Sequence, residues 1–163
     1  TVAKSGVQLR SAEADAIVGI LRGKQGLSSE AAPLFRAAFE RYRDDPWSDM
    51  IVMEAAASSA TAIGAGDRQF ASAVLDAFSR KFSAYQLNDK RRNTYIALAW
   101  AARQCSAATL TSLQEVEPNV PWMASILQIR EVCYRAARID KLAERARKDR
   151  RKFGENEPRG LLQ

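Results

Sequence analysis

Apolar residues recur at helical spacing along this chain, in segments that are interrupted by glycine, proline or polar turns. In the first segment the apolar stripe falls at positions 14, 17, 18 and 21, after a serine and two acidic residues typical of a helix N-terminus. The second segment repeats the pattern at positions 34, 35, 38, 39 and 42. No clear run alternates apolar and polar residues with a period of two. The pattern therefore predicts an all-α fold.

The interruptions group the predicted helices into four antiparallel hairpins. The first spans 11–42 with its turn near 26, and Ser28 or Ser29 is the expected cap of its second helix. The second spans about 48–82 and turns at 64–67, where Asp67 is a suitable N-cap. The third begins near 88 and turns near 105, and the fourth begins at 121 and turns near 139. The turns lie about 35 to 40 residues apart, a spacing expected of helical-hairpin repeats.

Two stretches of the chain, 46–82 and 120–153, share several positions. Pro46-Trp47 corresponds to Pro121-Trp122, and the Arg-Lys-Phe at 80–82 corresponds to that at 151–153. Each Pro-Trp pair stands at the start of a predicted helix. The repetition favours a structural role for Trp47 and Trp122, in which each ring packs against the preceding hairpin.

The last hairpin resembles a tetratricopeptide repeat. Its CYRAA at 133–137 leads through the turn to LAERA at 142–146, which is similar to the family's small residues and tyrosine in one helix and alanines in the next. The resemblance covers about 11–152 and implies a short right-handed α-solenoid of about four units. The units are mostly longer than the family's roughly 34 residues, and its Trp-Leu-Gly-Tyr pattern is absent. An irregular helical bundle is the alternative.

Composition sets the domain organisation and the expected location. Alanine makes up much of the 47% hydrophobic content, which favours close-packed helices. We predict one helical-repeat domain over 1–153 and a loose tail over 154–163, where periodicity ends. No apolar run is long enough to span a membrane, and the first residues lack the apolar core of a signal peptide. We expect a soluble protein, with the cytoplasm favoured, whose N-terminus has been processed or truncated.

Catalytic, cofactor and metal sites are not predicted. The chain has no histidine, and no glycine-rich loop stands in the strand-to-helix context that cradles phosphates. Acidic pairs occur only in linkers at helix ends, where capping explains them. Cys105 and Cys133 are interpreted as two small, partly buried apolar residues, with a single disulfide as the alternative if the protein is exported.

The strongest charge feature is 141–152, which holds seven basic and two acidic residues and carries +5 of the net charge of +6. It could contact phosphates or an acidic partner, or form the solvated outer face of a last repeat. No aromatic residue interrupts this run, which argues against base stacking there. Candidate contacts in this run and in the shorter basic cluster after residue 89 are Lys90, Arg91, Arg92, Arg145, Arg147, Lys148, Arg150 and Arg151.

The predicted function is a non-catalytic protein–protein interaction module, an adaptor or a subunit of a larger assembly that binds another protein or a peptide. Stacked hairpins make a groove lined by the first helix of each unit, here 50–58, 95–103 and 128–135. The candidate groove contacts are Trp100, Arg103, Arg130 and Arg135, of which the last two could clamp a carboxylate. The alternative is an RNA- or nucleic-acid-associated helical-repeat protein that uses the basic C-terminal helix. A third hypothesis is a subunit or lid for another chain's active site. The oligomeric state stays open.

Overall fold

The computed structural model describes residues 11–44, 47 and 49–156, which form α-helices and short 3-10 turns but no strand, as the sequence predicts. The chain divides into two compact units, the first ending at Ala102 and the second beginning at Arg103. A single domain over 1–153 stays a prediction. The α-helices are α1 (Ser11–Lys24), α2 (Ser28–Tyr42), α3 (Met50–Gly66), α4 (Arg68–Val74), α5 (Asn88–Arg103), α6 (Ala107–Val116), α7 (Ala124–Ala136) and α8 (Asp140–Asn156).

Turn and cap chemistry explain several of these boundaries. Asp49 caps α3 by accepting hydrogen bonds from the backbone amides of residues 51 and 52, and Asp67 caps α4 by accepting from the Phe70 amide at 2.9 Å. The last two predicted turns lack glycine at their left-handed positions. Gln104 (φ 51°) and Arg138 (φ 56°) adopt this conformation instead.

Two predicted boundaries differ from the structure. The helix expected over 67–82 ends at Val74 and continues only as a 3-10 turn, Leu75–Phe78. Three of the four residues in that turn are buried, so it packs into the core of the first unit although the α-helix has ended. The tail expected from 154 is helical as far as Asn156. The remainder of that predicted tail, 157–163, lies outside the described residues.

An aromatic column forms the centre of the first unit. The ring centroid of Phe39 lies 4.3 Å from that of Phe78 and 5.9 Å from that of Phe82. Tyr42 meets Phe82 edge to face at 5.2 Å. Because these rings come from α2 and from the segment after α4, the column joins the second helices of two hairpins.

Contacts between successive hairpins of the first unit recur at a nearly constant sequence offset. The Glu13 carboxylate accepts a hydrogen bond from the Asp49 amide at 2.6 Å, 36 residues along the chain. The Arg68 Nε donates to the Ala102 carbonyl at 2.8 Å, an offset of 34 residues. The Thr61 and Thr94 hydroxyls, on α3 and α5, lie 3.5 Å apart at an offset of 33 residues. Within this unit α1, α3 and α5 therefore run parallel. An α-solenoid over the whole chain stays a prediction.

Glycine makes the close approach of these helices possible. A Cβ atom at Gly64 of α3 would stand 2.6 Å from Leu98 Cδ2 of α5, and one at Gly23 of α1 would stand 2.3 Å from Ile63 Cδ1 of α3. A larger residue would force these side chains to move. The lack of a side chain at these two glycines therefore allows the short distance between the parallel helices.

The second unit is built on the α7–α8 hairpin. Its buried residues come mainly from one face of α7, whereas α8 buries only Ala146 completely. The Trp122 ring, just before α7, lies 6.0 Å from the Phe153 ring near the end of α8. Cys133 of α7 forms a disulfide with Cys105, which precedes α6. The pairing replaces the favoured interpretation of two separate apolar residues.

We expect Phe39→Ala to lower the free energy of unfolding by about 3 to 5 kcal/mol, because it removes the ring at the centre of the aromatic column. Urea unfolding followed by circular dichroism measures the loss. Tyr85→Ala is the control, since this side chain is 85% exposed, and it should change stability by less than about 0.5 kcal/mol. Equal effects of the two changes would contradict the described core.

Candidate partner-binding surfaces

The larger residues of the apolar stripe of α1 lie on the outside of the first unit. Ile17, Val18 and Leu21 are exposed, Leu21 at 52%. The buried face of α1 consists of Ala12, Ala16 and Gly19. Small residues let α1 approach α2 and α3 closely, so the larger apolar side chains face away from the contact.

The outer face of α3 continues this apolar surface. Ile51, Ala55, Ser58, Ala62 and Ala65 are all exposed and recur every three or four residues along one side of the helix. Ile51 is 76% exposed. Because α1 and α3 are parallel neighbours, their outer faces adjoin. We call the exposed residues Ile17, Val18, Leu21, Ile51, Ala55 and Ala62 the α1–α3 surface.

The four predicted groove residues differ in accessibility. Trp100 is half-buried on α5, while Arg103 and Arg135 are exposed at the C-terminal ends of α5 and α7. Arg130 is fully buried at 0% exposure. Its position does not support the predicted contact to a partner. Exposed aromatics occur instead at Trp47 and Trp122. Trp122 packs on Phe153 of its own hairpin, and the expected packing of each ring against the preceding hairpin stays a prediction.

Arg130 is the centre of an ion-pair network in the second unit. Its Nε and one terminal nitrogen donate to both carboxylate oxygens of Glu117 at 2.8 and 2.9 Å, and the other terminal nitrogen donates to Asp149 at 3.0 Å. Burial alone would lower the pKa of this guanidinium, but the hydrogen bonds to Glu117 and Asp149 raise it. Arg130 thus joins α7, α8 and the 3-10 turn after α6.

Tyr134 is buried beside the same carboxylate. Burial, followed by the interaction with Glu117, raises the pKa of its phenol above the ordinary value of 10.0. Its oxygen has no partner of ordinary hydrogen-bonding geometry among the described residues, although Glu117 is close enough to act on its protonation. The phenol therefore stays neutral at physiological pH.

The charges of α8 form two adjoining groups that differ in whether they are ion-paired. On one face Arg147 pairs with Glu144 at 2.8 Å and Arg151 pairs with Glu155 at 3.6 Å. We call these four residues the ion-paired face. Three lysines, Lys141, Lys148 and Lys152, follow at spacings of seven and four residues, and none of them forms an ion pair within the described part of the chain. We call them the lysine face.

The other predicted cations of α8 also have acidic partners. Arg145 lies 3.7 Å from Glu117, and Arg150 lies 2.8 Å from Glu131 on α7. Lys148 stands at the border of the two faces, where it lines a shallow depression of about 500 Å³ with Glu144, Arg147 and Arg151. The lysine face therefore retains the uncompensated charge of the helix.

The second basic cluster is less accessible than the sequence indicates. Arg91 is buried and donates to the Phe78 carbonyl at 2.6 Å. Arg92 pairs with Asp89 at 3.0 Å, and Lys90 is half-buried. Arg91 contributes to the core of the first unit, and its position does not support a phosphate contact.

A groove of about 300 Å³ lies between the start of α2 and α4, lined by residues that include Ser28, Arg36, Asp67 and Phe70. The Ser28 hydroxyl donates to the Asp67 carboxylate at 2.6 Å. It makes no cap to α2, whose N-cap is Leu27 without a side-chain bond, so the predicted Ser28 or Ser29 cap is wrong. The hydrogen bonds from Ser28 and from the Phe70 amide lower the pKa of Asp67.

Two general features of the described residues bear on the kind of site. In the ranges 11–44, 47 and 49–156, no group of three or more Cys, Asp or Glu side chains is placed to hold a metal ion. No helix in these ranges is both long and apolar enough to cross a membrane.

Disulfides such as Cys105–Cys133 persist mainly in oxidising compartments, so this bond does not support the expected cytoplasmic location.

Comparison of the chain with protein-family models, curated proteins and solved structures finds no significant match. The tetratricopeptide resemblance therefore stays a prediction. The candidate surfaces are defined by geometry and charge alone.

We expect the Asp67 carboxylate to stabilise the first unit only when it is ionised. Because its pKa is lowered on folding, its contribution is complete above the ordinary value of 3.8 and is lost as the pH falls through the folded-state pKa. The difference in unfolding free energy between wild type and Asp67→Asn, measured by urea unfolding between pH 7 and pH 2, should shrink in this acidic window. A difference that stays constant with pH would contradict this assignment.

We expect Arg130→Ala to lower the free energy of unfolding by about 3 to 5 kcal/mol, because it leaves two partly buried carboxylates without their cation. The matched control is Arg147→Ala, whose exposed pair within one helix should contribute only about 0 to 1 kcal/mol. Thermal unfolding of both variants measures the contrast. A small effect of Arg130→Ala would show that the network does not hold the second unit together.

Proposed function

We propose that this chain is a protein-interaction module whose first unit binds a partner protein through the α1–α3 surface. The observation that carries the proposal is the set of large apolar side chains exposed on two adjoining helices. Single exposed apolar residues are common, but a contiguous group of them is typical of an interaction site. The sequence predicts the same class of function.

The composition of this surface suits an apolar partner. Ile17 and Leu21 are about half exposed and Ile51 is 76% exposed. Burying them against a partner would therefore contribute roughly 1 to 2 kcal/mol for each side chain. Alanine and serine on α3 leave the backbone accessible, so a partner helix could approach closely. These large side chains are candidates for the few contacts that carry most of the binding energy.

Charge supports the same assignment. Residues 11–102 contain eleven Lys and Arg and eleven Asp and Glu, so this part of the chain has no net charge. A segment without net charge gains little from long-range attraction of a charged partner. Binding at the α1–α3 surface should therefore depend only weakly on salt.

The experiment is site-specific photocrosslinking in the cells from which the protein comes. A photoreactive amino acid replaces Ile51, or in a second variant Leu21, and a third variant carries it at Glu40, which is exposed on α2. We expect one defined adduct to a second protein from the first two positions and none from the third. The Ile17→Glu/Leu21→Glu variant should lose the adduct that forms from position 51.

Two outcomes would count against the proposal. Adducts of equal yield from Glu40 and Ile51 would show that the surface is not selective. An adduct that contains only a second copy of this chain would replace the partner protein with self-association. Circular dichroism of the double glutamate variant checks that the fold is kept, which is expected because both side chains are already exposed.

A further inference from the structure

The second unit places an exposed aromatic ring at the end of its basic helix. Trp122 is 51% exposed and packs on Phe153, which directly follows Lys152 in α8. The basic run itself contains no aromatic residue before Phe153, and Trp122 lies about thirty residues away in sequence. The antiparallel packing of α7 and α8 brings this ring to the end of α8 that carries Lys152.

We propose that the α7–α8 hairpin binds single-stranded nucleic acid, with phosphates on the lysine face and a base stacked on Trp122. This goes beyond the proposed protein-interaction function, because it uses a different unit and a different chemistry. Proteins that bind single strands combine a row of cations with aromatic side chains on which bases stack. Lys152 and the Trp122 ring, which packs on the adjacent Phe153, lie at the same end of this hairpin.

Charge complementarity supports a polyanionic ligand. Residues 103–156 contain eleven Lys and Arg and seven Asp and Glu, a net charge of +4. All four arginines of α8 are paired, with Glu117, Glu131, Glu144 or Glu155. The lysines have no such partners, so a ligand phosphate would not have to displace a carboxylate from them.

The geometry favours one strand over a duplex. At about 1.5 Å of rise per residue, Lys148 and Lys152 lie about 6 Å apart along the helix and Lys141 about 10 Å further back. Three cations in one row can follow a single phosphate backbone. The exposed face of Trp122 can stack on an unpaired base, whereas the bases of a duplex are already stacked on one another.

The test is fluorescence anisotropy of the full chain with labelled oligo(dT) and oligo(U) of twelve nucleotides, at 50 and 200 mM salt. Three phosphate contacts predict a loss of affinity of roughly 20-fold between these concentrations. Lys148→Gln/Lys152→Gln should weaken binding and flatten the salt dependence. The matched control, Arg147→Gln/Arg151→Gln, changes the charge equally on the ion-paired face and should bind almost as wild type does.

Substitution of Trp122 tests the stacking component. Trp122→Ala should lower the affinity about 5- to 100-fold, and Trp122→Tyr, which keeps an aromatic face, should retain most of it. Trp47→Ala, in the first unit, is the control and should not change binding. Thermal unfolding of each variant separates loss of binding from loss of fold. Stronger binding of either oligonucleotide tells whether DNA or RNA is preferred.

Four results would overturn the proposal. The first is normal binding by the Trp122→Ala variant, and the second is an equal loss of affinity in the lysine and arginine double variants. The third is a duplex that binds as tightly as the single strand. The fourth is competition by inorganic polyphosphate or polyglutamate that is as effective as competition by the oligonucleotide. The last result would assign the face to acidic polymers in general. None of these outcomes touches the α1–α3 surface, so the two proposals succeed or fail separately.

Discussion

Close packing through small residues is the constraint on which the first unit depends. Ala12, Ala16 and Gly19 form the inner face of α1, and Gly64 lets α3 approach Leu98 of α5. Helices spaced this closely have no room between them for Ile17 or Leu21, which are placed outside. The packing that stabilises the scaffold therefore also creates its exposed apolar surface.

The second unit is held by different means. Little of α8 is apolar, so its attachment to α7 relies on Arg130, Glu117 and Asp149, together with the Trp122–Phe153 contact. The disulfide joins two cysteines that are 28 residues apart in sequence. Because it reduces the entropy of the unfolded chain, it should raise the free energy of unfolding by about 3 to 4 kcal/mol. A helix fixed by buried ion pairs can leave its remaining cations on the surface.

The division of charge matches the division of proposed roles. Residues 11–102, which carry no net charge, present apolar side chains, whereas residues 103–156, with a net charge of +4, present lysines and an indole ring. Apolar docking should depend only weakly on salt, whereas polyanion binding weakens as the salt concentration rises, because it is accompanied by the release of counterions. One chain can thus carry two surfaces whose contributions are separable in a single series of salt concentrations.

The sequence alone determined the helical class, the order of the hairpins and the cap at Asp67, because periodicity and capping are local properties of the chain. It did not determine which side of α1 is buried, since alanine and the larger apolar residues occupy different faces and only the approach of α2 and α3 selects between them. It also could not show that Arg130 is internal, that Cys105 pairs with Cys133, or that Trp122 stands beside Phe153. Each of these depends on contacts between residues distant in sequence, which only the tertiary structure brings together.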